Sequence, residues 1–201
     1  MPVSILYKNL RKRISTLKKQ FLDFQPSDSP LPINQDKLRA FKLLVHAEIE
    51  SYIENAGLGV LNNCDAEWKS NKRVITPLAF LIMFSNSKFE ANDGQVVKDD
   101  RISQILTSFR QLITNNNGIK RKDILRLVVP LGVGYASIDQ TWLATIDSYG
   151  SSRGHVAHNS FSVQQQIDRT DELNNLAFVL KGIIKMDITI QKLSSSKRLP
   201  F

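Results

Sequence analysis

Apolar residues recur at three- and four-residue steps along most of this chain, and strand-like alternation never holds for long. Val3, Leu6, Leu10, Ile14, Leu17, Phe21 and Phe24 predict an amphipathic helix over residues 3–24, with Lys8, Arg11, Lys12, Arg13, Lys18 and Lys19 largely off its apolar stripe. The following QPSDSPLPIN reads as a stiff linker. Asn34 is a natural N-cap for a second helix, and Ile33 is placed to staple against Leu38. That helix, over 35–56, stacks Leu38, Phe41, Val45, Ile49, Tyr52 and Ala56 on one side, and Gly57 and Gly59 are expected to end it. Glu50 falls about 140° from the centre of the stripe, so it should be exposed in a monomer, whereas Glu48 flanks the apolar face.

Residues 62–72 are polar and read as irregular or short-helical. Pro77 opens a buried short helix through Phe84, with a strand as the weaker alternative, and Asn92-Asp93-Gly94 marks a turn. Helical spacing returns over 101–113, 115–118 is a loop, and 119–126 starts a basic helical element. Gly132-Val133-Gly134 lacks the third glycine of a dinucleotide fingerprint and the Lys-Ser/Thr of a P-loop, so it reads as a helix break. Ser137-Ile-Asp-Gln140 is a capping-box pattern opening a helix through Trp142, Leu143 and Ile146, and Ser162-Val-Gln-Gln165 is a second. A long helix over 171–193 and a frayed tail, SSSKRLPF, complete the chain. The expected organisation is a basic helix and linker over 1–33, an all-α helical domain over 34–193 and a polar tail over 194–201.

Composition narrows the class of protein. A hydrophobic content of 42% in 201 residues supports a globular core. The one cysteine, Cys64, rules out an internal disulfide and a Cys-based zinc cluster. The N-terminal stretch has its basic residues after a short apolar run, which is not the order of a signal peptide. The most apolar run, 74–84, is about half of what spans a bilayer. A cytoplasmic protein that uses no membrane is expected. The formal charge of +8 and pI near 9.6 favour a polyanionic partner without specifying one. Arg11, Lys12, Lys18 and Lys19 are the first candidates to track phosphates, against the plainer reading of a solvated helix face.

Candidate chemistry concentrates in SYGSSRGHVAHNS, residues 148–160, which holds two of the three histidines. Arg153 and His158 are five apart, about 140° around an uninterrupted helix, unless a bend at Gly150 or Gly154 turns them together. His155 and His158, three apart, share a face in either case. A His-x-x-His pair needs an acidic third metal ligand, and the nearest, Asp147, is on another turn; no metal and no cofactor are expected. Ser151 and Ser152 lack a nucleophile elbow. An arginine that grips a phosphate beside a base that titrates near neutrality is the other chemistry available. Arg153 and histidine side chains capping helix ends is the structural alternative.

Arg153-x-x-x-x-His158, within Arg153-Gly-His-Val-Ala-His-Asn159, resembles the signature of the HEPN superfamily, in the Arg-Asn-x-x-Ala-His-Gly form of its RiboL-PSP-type members. Leu43-Leu-Val-His-Ala-Glu-Ile-Glu50-Ser-Tyr52 is similar to the family's early helix and aligns Glu50 with its glutamate. The resemblance covers residues 35–193. It implies a HEPN-like bundle of four to five core helices, here with an additional N-terminal amphipathic helix. It also implies a homodimer and metal-independent endoribonuclease activity on RNA in defence or toxin–antitoxin settings, with an antitoxin or defence-system protein as a further partner. Carried onto this chain, His158 is the general base or acid, Arg153 stabilises the transition state, and Glu50 and His155 support them. Two departures stand out: Gly154 replaces the family asparagine after the arginine, and Ser160 stands where toxins controlled by tyrosine adenylylation carry the tyrosine. A non-catalytic RNA- or nucleotide-binding HEPN module, and a helical DNA-binding or scaffold protein using its basic first helix, remain the alternatives.

Overall fold

The computed structural model describes residues 2–22, 34–85, 99–158 and 166–195, with side chains over 101–153 and 166–194 in the last two segments. Among the described residues the chain forms seven α-helices and two short 3₁₀ turns, with no strand. The helices are α1 (Ile5–Phe21), α2 (Gln35–Asn71), α3 (Thr76–Ser85), α4 (Asp99–Thr114), α5 (Arg121–Val128), α6 (Gln140–His158) and α7 (Arg169–Ser195). The all-α bundle expected from the periodicity is the fold observed. Ile33, the 92–94 turn, the 162–165 capping pattern and the tail beyond Ser195 fall outside the described residues.

α2 is the central element, packed against α1, α3, α4, α5, α6 and α7. Asn34 caps it as expected, its Oδ1 accepting from the Lys37 amide at 3.0 Å. The helix does not stop at Gly57. It runs to Asn71 and ends on Lys72, whose left-handed backbone (φ 50°) closes onto the Glu67 and Trp68 carbonyls. Each helical glycine costs about 1 kcal/mol, but burying Val60 and Leu61 beyond them returns about 1.5–3 kcal/mol per side chain. Gly57 packs against the Ile113 side chain of α4, which would lie 3.4 Å from a Cβ at that position, an ordinary contact. The polar 62–71 stretch is therefore the last three turns of α2.

α1 packs antiparallel on α2: the Tyr7 ring meets Tyr52 edge-on at 6.1 Å, and Arg13 Nε donates to Glu48 Oε1 at 2.9 Å. Tyr7, Leu10, Ile14 and Leu17 enter the same core as α2. α7 runs parallel to α2. Along the pair, Lys42 meets Glu172, Tyr52 meets Asp187 and Asn63 meets Ser194, at nearly constant sequence separation. Asp187, 3% exposed, accepts from the Ser4 amide and hydroxyl and from the Tyr52 hydroxyl, tying α1, α2 and α7 at one point. α6 packs on α2, α5 and α7, with Trp142 Nε1 donating to the Val179 carbonyl at 3.0 Å. Its N-cap is Asp139, whose Oδ1 accepts from the Thr141 and Trp142 amides; Ser137, expected there, instead closes the preceding 3₁₀ turn on Gly134. No helix among the described residues is long and apolar enough to cross a membrane.

Candidate functional site

A polar seam crosses the bundle where α6 lies on α2. Lys42, His46 and Glu50 are spaced by four along α2 and line up on its α6-facing flank. This is a second buried stripe, beside the apolar one. Glu50 was expected to be exposed; its side chain is 15% exposed, because α6 covers this flank. Counting from one apolar stripe misplaces a glutamate on a helix enclosed on most of its circumference.

His46, 1% exposed, is the deepest member of the seam. Its Nδ1 has no hydrogen-bond partner among the described residues and lies 3.7 Å from Glu50 Oε2. Burial, followed by the positive charges of Arg153 and Lys42, depresses its pKa to about 4. At neutral pH His46 is therefore an uncharged ring, and its contact with Glu50 is no ion pair. Burial raises the Glu50 pKa, with the charge of Arg153 opposing and those of Glu54 and Asp123 adding to the rise. Arg153 thus acts electrically on both His46 and Glu50, and its side chain is half-buried at the edge of the seam.

On the other side of His46, Lys42 Nζ makes a buried ion pair with Glu172 Oε2 of α7 at 2.7 Å and lies 5.6 Å from the Tyr149 ring centroid. Burial and the negative charge of Glu172 push the Tyr149 phenol well above its ordinary pKa. Its hydroxyl lies near the Glu172 carboxylate, but neither it nor Glu172 Oε1 makes a hydrogen bond of good geometry among the described residues. Below Glu50, Glu54 Oε1 accepts from the buried Asn116 side chain at 3.0 Å.

The structure therefore places Arg153 within electrostatic reach of Glu50 and His46. α6 continues unbroken as helix through His155 and His158, whose side chains lie outside the described residues. Arg11, Lys12, Lys18 and Lys19 are all exposed along α1. They are remote from this flank: Glu48, which holds α1 through Arg13, is about 200° around α2 from Glu50. Sequence reasoning missed His46, Lys42, Tyr149 and Glu172. Only the four-residue spacing of Lys42, His46 and Glu50 signalled the seam.

Among the described residues no group of three or more His, Cys, Asp or Glu could hold a metal ion. Buried Cys64 has its thiol pushed up to about 12, chiefly by burial, which leaves it without thiolate character at neutral pH. A family model described as RiboL-PSP-HEPN matches residues 8–192. No curated protein and no solved structure matches.

Proposed function

Because the chain belongs to the RiboL-PSP-HEPN family, whose membership supports an RNA- or nucleotide-related role, we propose that it is a metal-independent endoribonuclease acting as a homodimer. What supports this reading is that Arg153, on the same helix as His155 and His158, lies within electrostatic reach of Glu50 and His46 of α2 at the polar seam. Arg153 would grip the phosphate, and its fork of donors would stabilise the crowded phosphorus. His158 would take the proton from the ribose 2′-hydroxyl as that oxygen attacks phosphorus. The bond to the 5′-oxygen then breaks and that oxygen is protonated, leaving a 2′,3′-cyclic phosphate and a 5′-hydroxyl. Glu50 orients Arg153 in place of the asparagine that Gly154 replaces, and His155 supports the histidine pair. Arg11, Lys12, Lys18 and Lys19 would hold phosphates of a longer strand. A toxin or anti-phage effector is the setting this activity fits.

The test is RNA cleavage in EDTA with the wild type, His158→Ala and Arg153→Lys. His158→Ala should lose about 10²–10⁴-fold in rate with fold retained, as general acid–base catalysis is worth that much. Arg153→Lys should fail although charge is kept. A substrate with 2′-deoxyribose at the cut should bind and survive. Normal cleavage by His158→Ala would sink the mechanism. The second reading, a non-catalytic RNA- or nucleotide-binding module, is favoured by Gly154. It predicts binding without cleavage by the wild type.

A further inference from the structure

The most basic exposed element beside the seam is α5 rather than α1. Residues 120–126 hold Lys120, Arg121, Lys122 and Arg126, of which the last three are exposed. Two contacts fix this element against α6. Gly150, three residues before Arg153, comes so close to the turn ahead of α5 that a Cβ there would lie 3.2 Å from the Lys120 backbone nitrogen. Asp147 Oδ1 accepts from the Arg121 amide at 2.9 Å. Both contacts fall within two helical turns of Arg153.

Beside α5 stands Tyr135, 46% exposed and outside the core. Its hydroxyl donates to Gln140 Oε1 at 2.9 Å and accepts from the Arg121 guanidinium. The guanidinium carbon is 5.9 Å from the ring centroid. Together with the bond to the hydroxyl, that separation puts the cation off the hydroxyl edge of the ring, not on its face. The ring is thus held in one orientation by its polar edge, with its faces left clear of Arg121. Cations on a strip beside an immobilised, open aromatic ring are what single-stranded nucleic acid uses: phosphates on the cations, an unpaired base on the ring. A ring kept only to tie Arg121 to Gln140 would need its hydroxyl and not its faces.

We propose that the exposed face of α5 and the ring of Tyr135 form a binding track for single-stranded RNA leading to Arg153. The inference rests on the ribonuclease reading only for the identity of the polynucleotide. A labelled 2′-O-methyl oligoribonucleotide of mixed sequence, which has no 2′-hydroxyl to attack, tests it by fluorescence anisotropy. Tyr135→Ala should weaken binding about tenfold, while Tyr135→Phe, which keeps the ring but frees it from both hydroxyl bonds, should lose much less. Lys122→Gln with Arg126→Gln should lower the slope of log K against log salt by about 0.7 per cation removed. Gln at Arg11, Lys12, Lys18 and Lys19 should cost a short oligonucleotide less than the α5 pair does. Tyr135→Ala binding like the wild type, Tyr135→Phe as weak as Tyr135→Ala, or an unchanged slope in the α5 pair would each overturn the track. If the wild type leaves RNA intact but these variants behave as expected, the track stands and the ribonuclease reading falls. If it cleaves RNA and the variants bind unchanged, the track alone falls.

Discussion

His46 has a cost that appears only in acid. Its ring faces Lys42 and Glu50 on its own helix and Arg153 on α6, with Glu172 of α7 held on Lys42. In the folded protein it resists protonation down to about pH 4, whereas in the unfolded chain it takes a proton at its ordinary value, about 6.5. The unfolded state therefore binds more protons between those values, and stability must fall as pH drops from about 6.5 towards 4. The raised pKa of Glu50 acts in the opposite sense, favouring the folded state when protonated, so the two partly offset. Urea unfolding at pH 7 and pH 5 should show the wild type losing more stability than His46→Gln over this interval. An equal loss in both proteins would mean that His46 titrates normally and is not sealed in the seam.

At the scale of the element, α2 and α7 are joined by an ion pair that burial makes hazardous. The side chains of Lys42 and Glu172 are 9% and 2% exposed, and either one alone would be an unpaired charge in a low-dielectric site. Glu172→Gln should cost about 3–5 kcal/mol. Lys42→Met combined with Glu172→Leu should recover most of that loss, since the desolvation penalty disappears with both charges. Thermal melts of the single and double variants measure the difference; a double variant no more stable than the single would show that the pair does more than neutralise itself. A second constraint lies where α6 crosses α7. A Cβ on Gly182 would come within 2.1 Å of the Trp142 indole, whose Nε1 is bonded to the Val179 carbonyl. Gly182→Ala gains helix propensity yet should lower the melting temperature, because the indole can move away only by breaking that bond. A raised melting temperature would place the indole elsewhere.

At the scale of the whole molecule, a site made from one Arg153–His158 segment is half of what the proposed mechanism uses. On an unbroken α6 these two residues stand about 140° apart, so a single copy does not present them on one face of the helix. A two-fold axis beside the end of α6 would bring the arginine of one copy near the histidine of the other. Light scattering at micromolar concentration should therefore give a dimer. Mixing Arg153→Lys with His158→Ala should restore part of the cleavage that each lacks alone. A monomer with full nuclease activity would exclude the shared site.

The repeating three- and four-residue spacing was enough to establish an all-α bundle, because burying one stripe per helix is a local property of the chain. Asn34 as a cap, the proline-opened α3 and the helical spacing of α4 and α7 were legible for the same reason: each depends on residues within a few positions. The family resemblance that the Arg153-x4-His158 and Glu50 patterns carry was likewise readable, and a family model matches residues 8–192. What the sequence could not reveal depends on neighbours far along the chain. Gly57 breaks a helix by local preference, and the burial of Val60 and Leu61 beyond it keeps α2 going. Glu50 is polar and off the stripe, and only α6 lying over it turns an exposed carboxylate into a covered one. Local patterning records which face of a helix is apolar. How many faces are covered, and therefore which polar groups are desolvated beside Arg153, is decided when α6 and α7 close over α2.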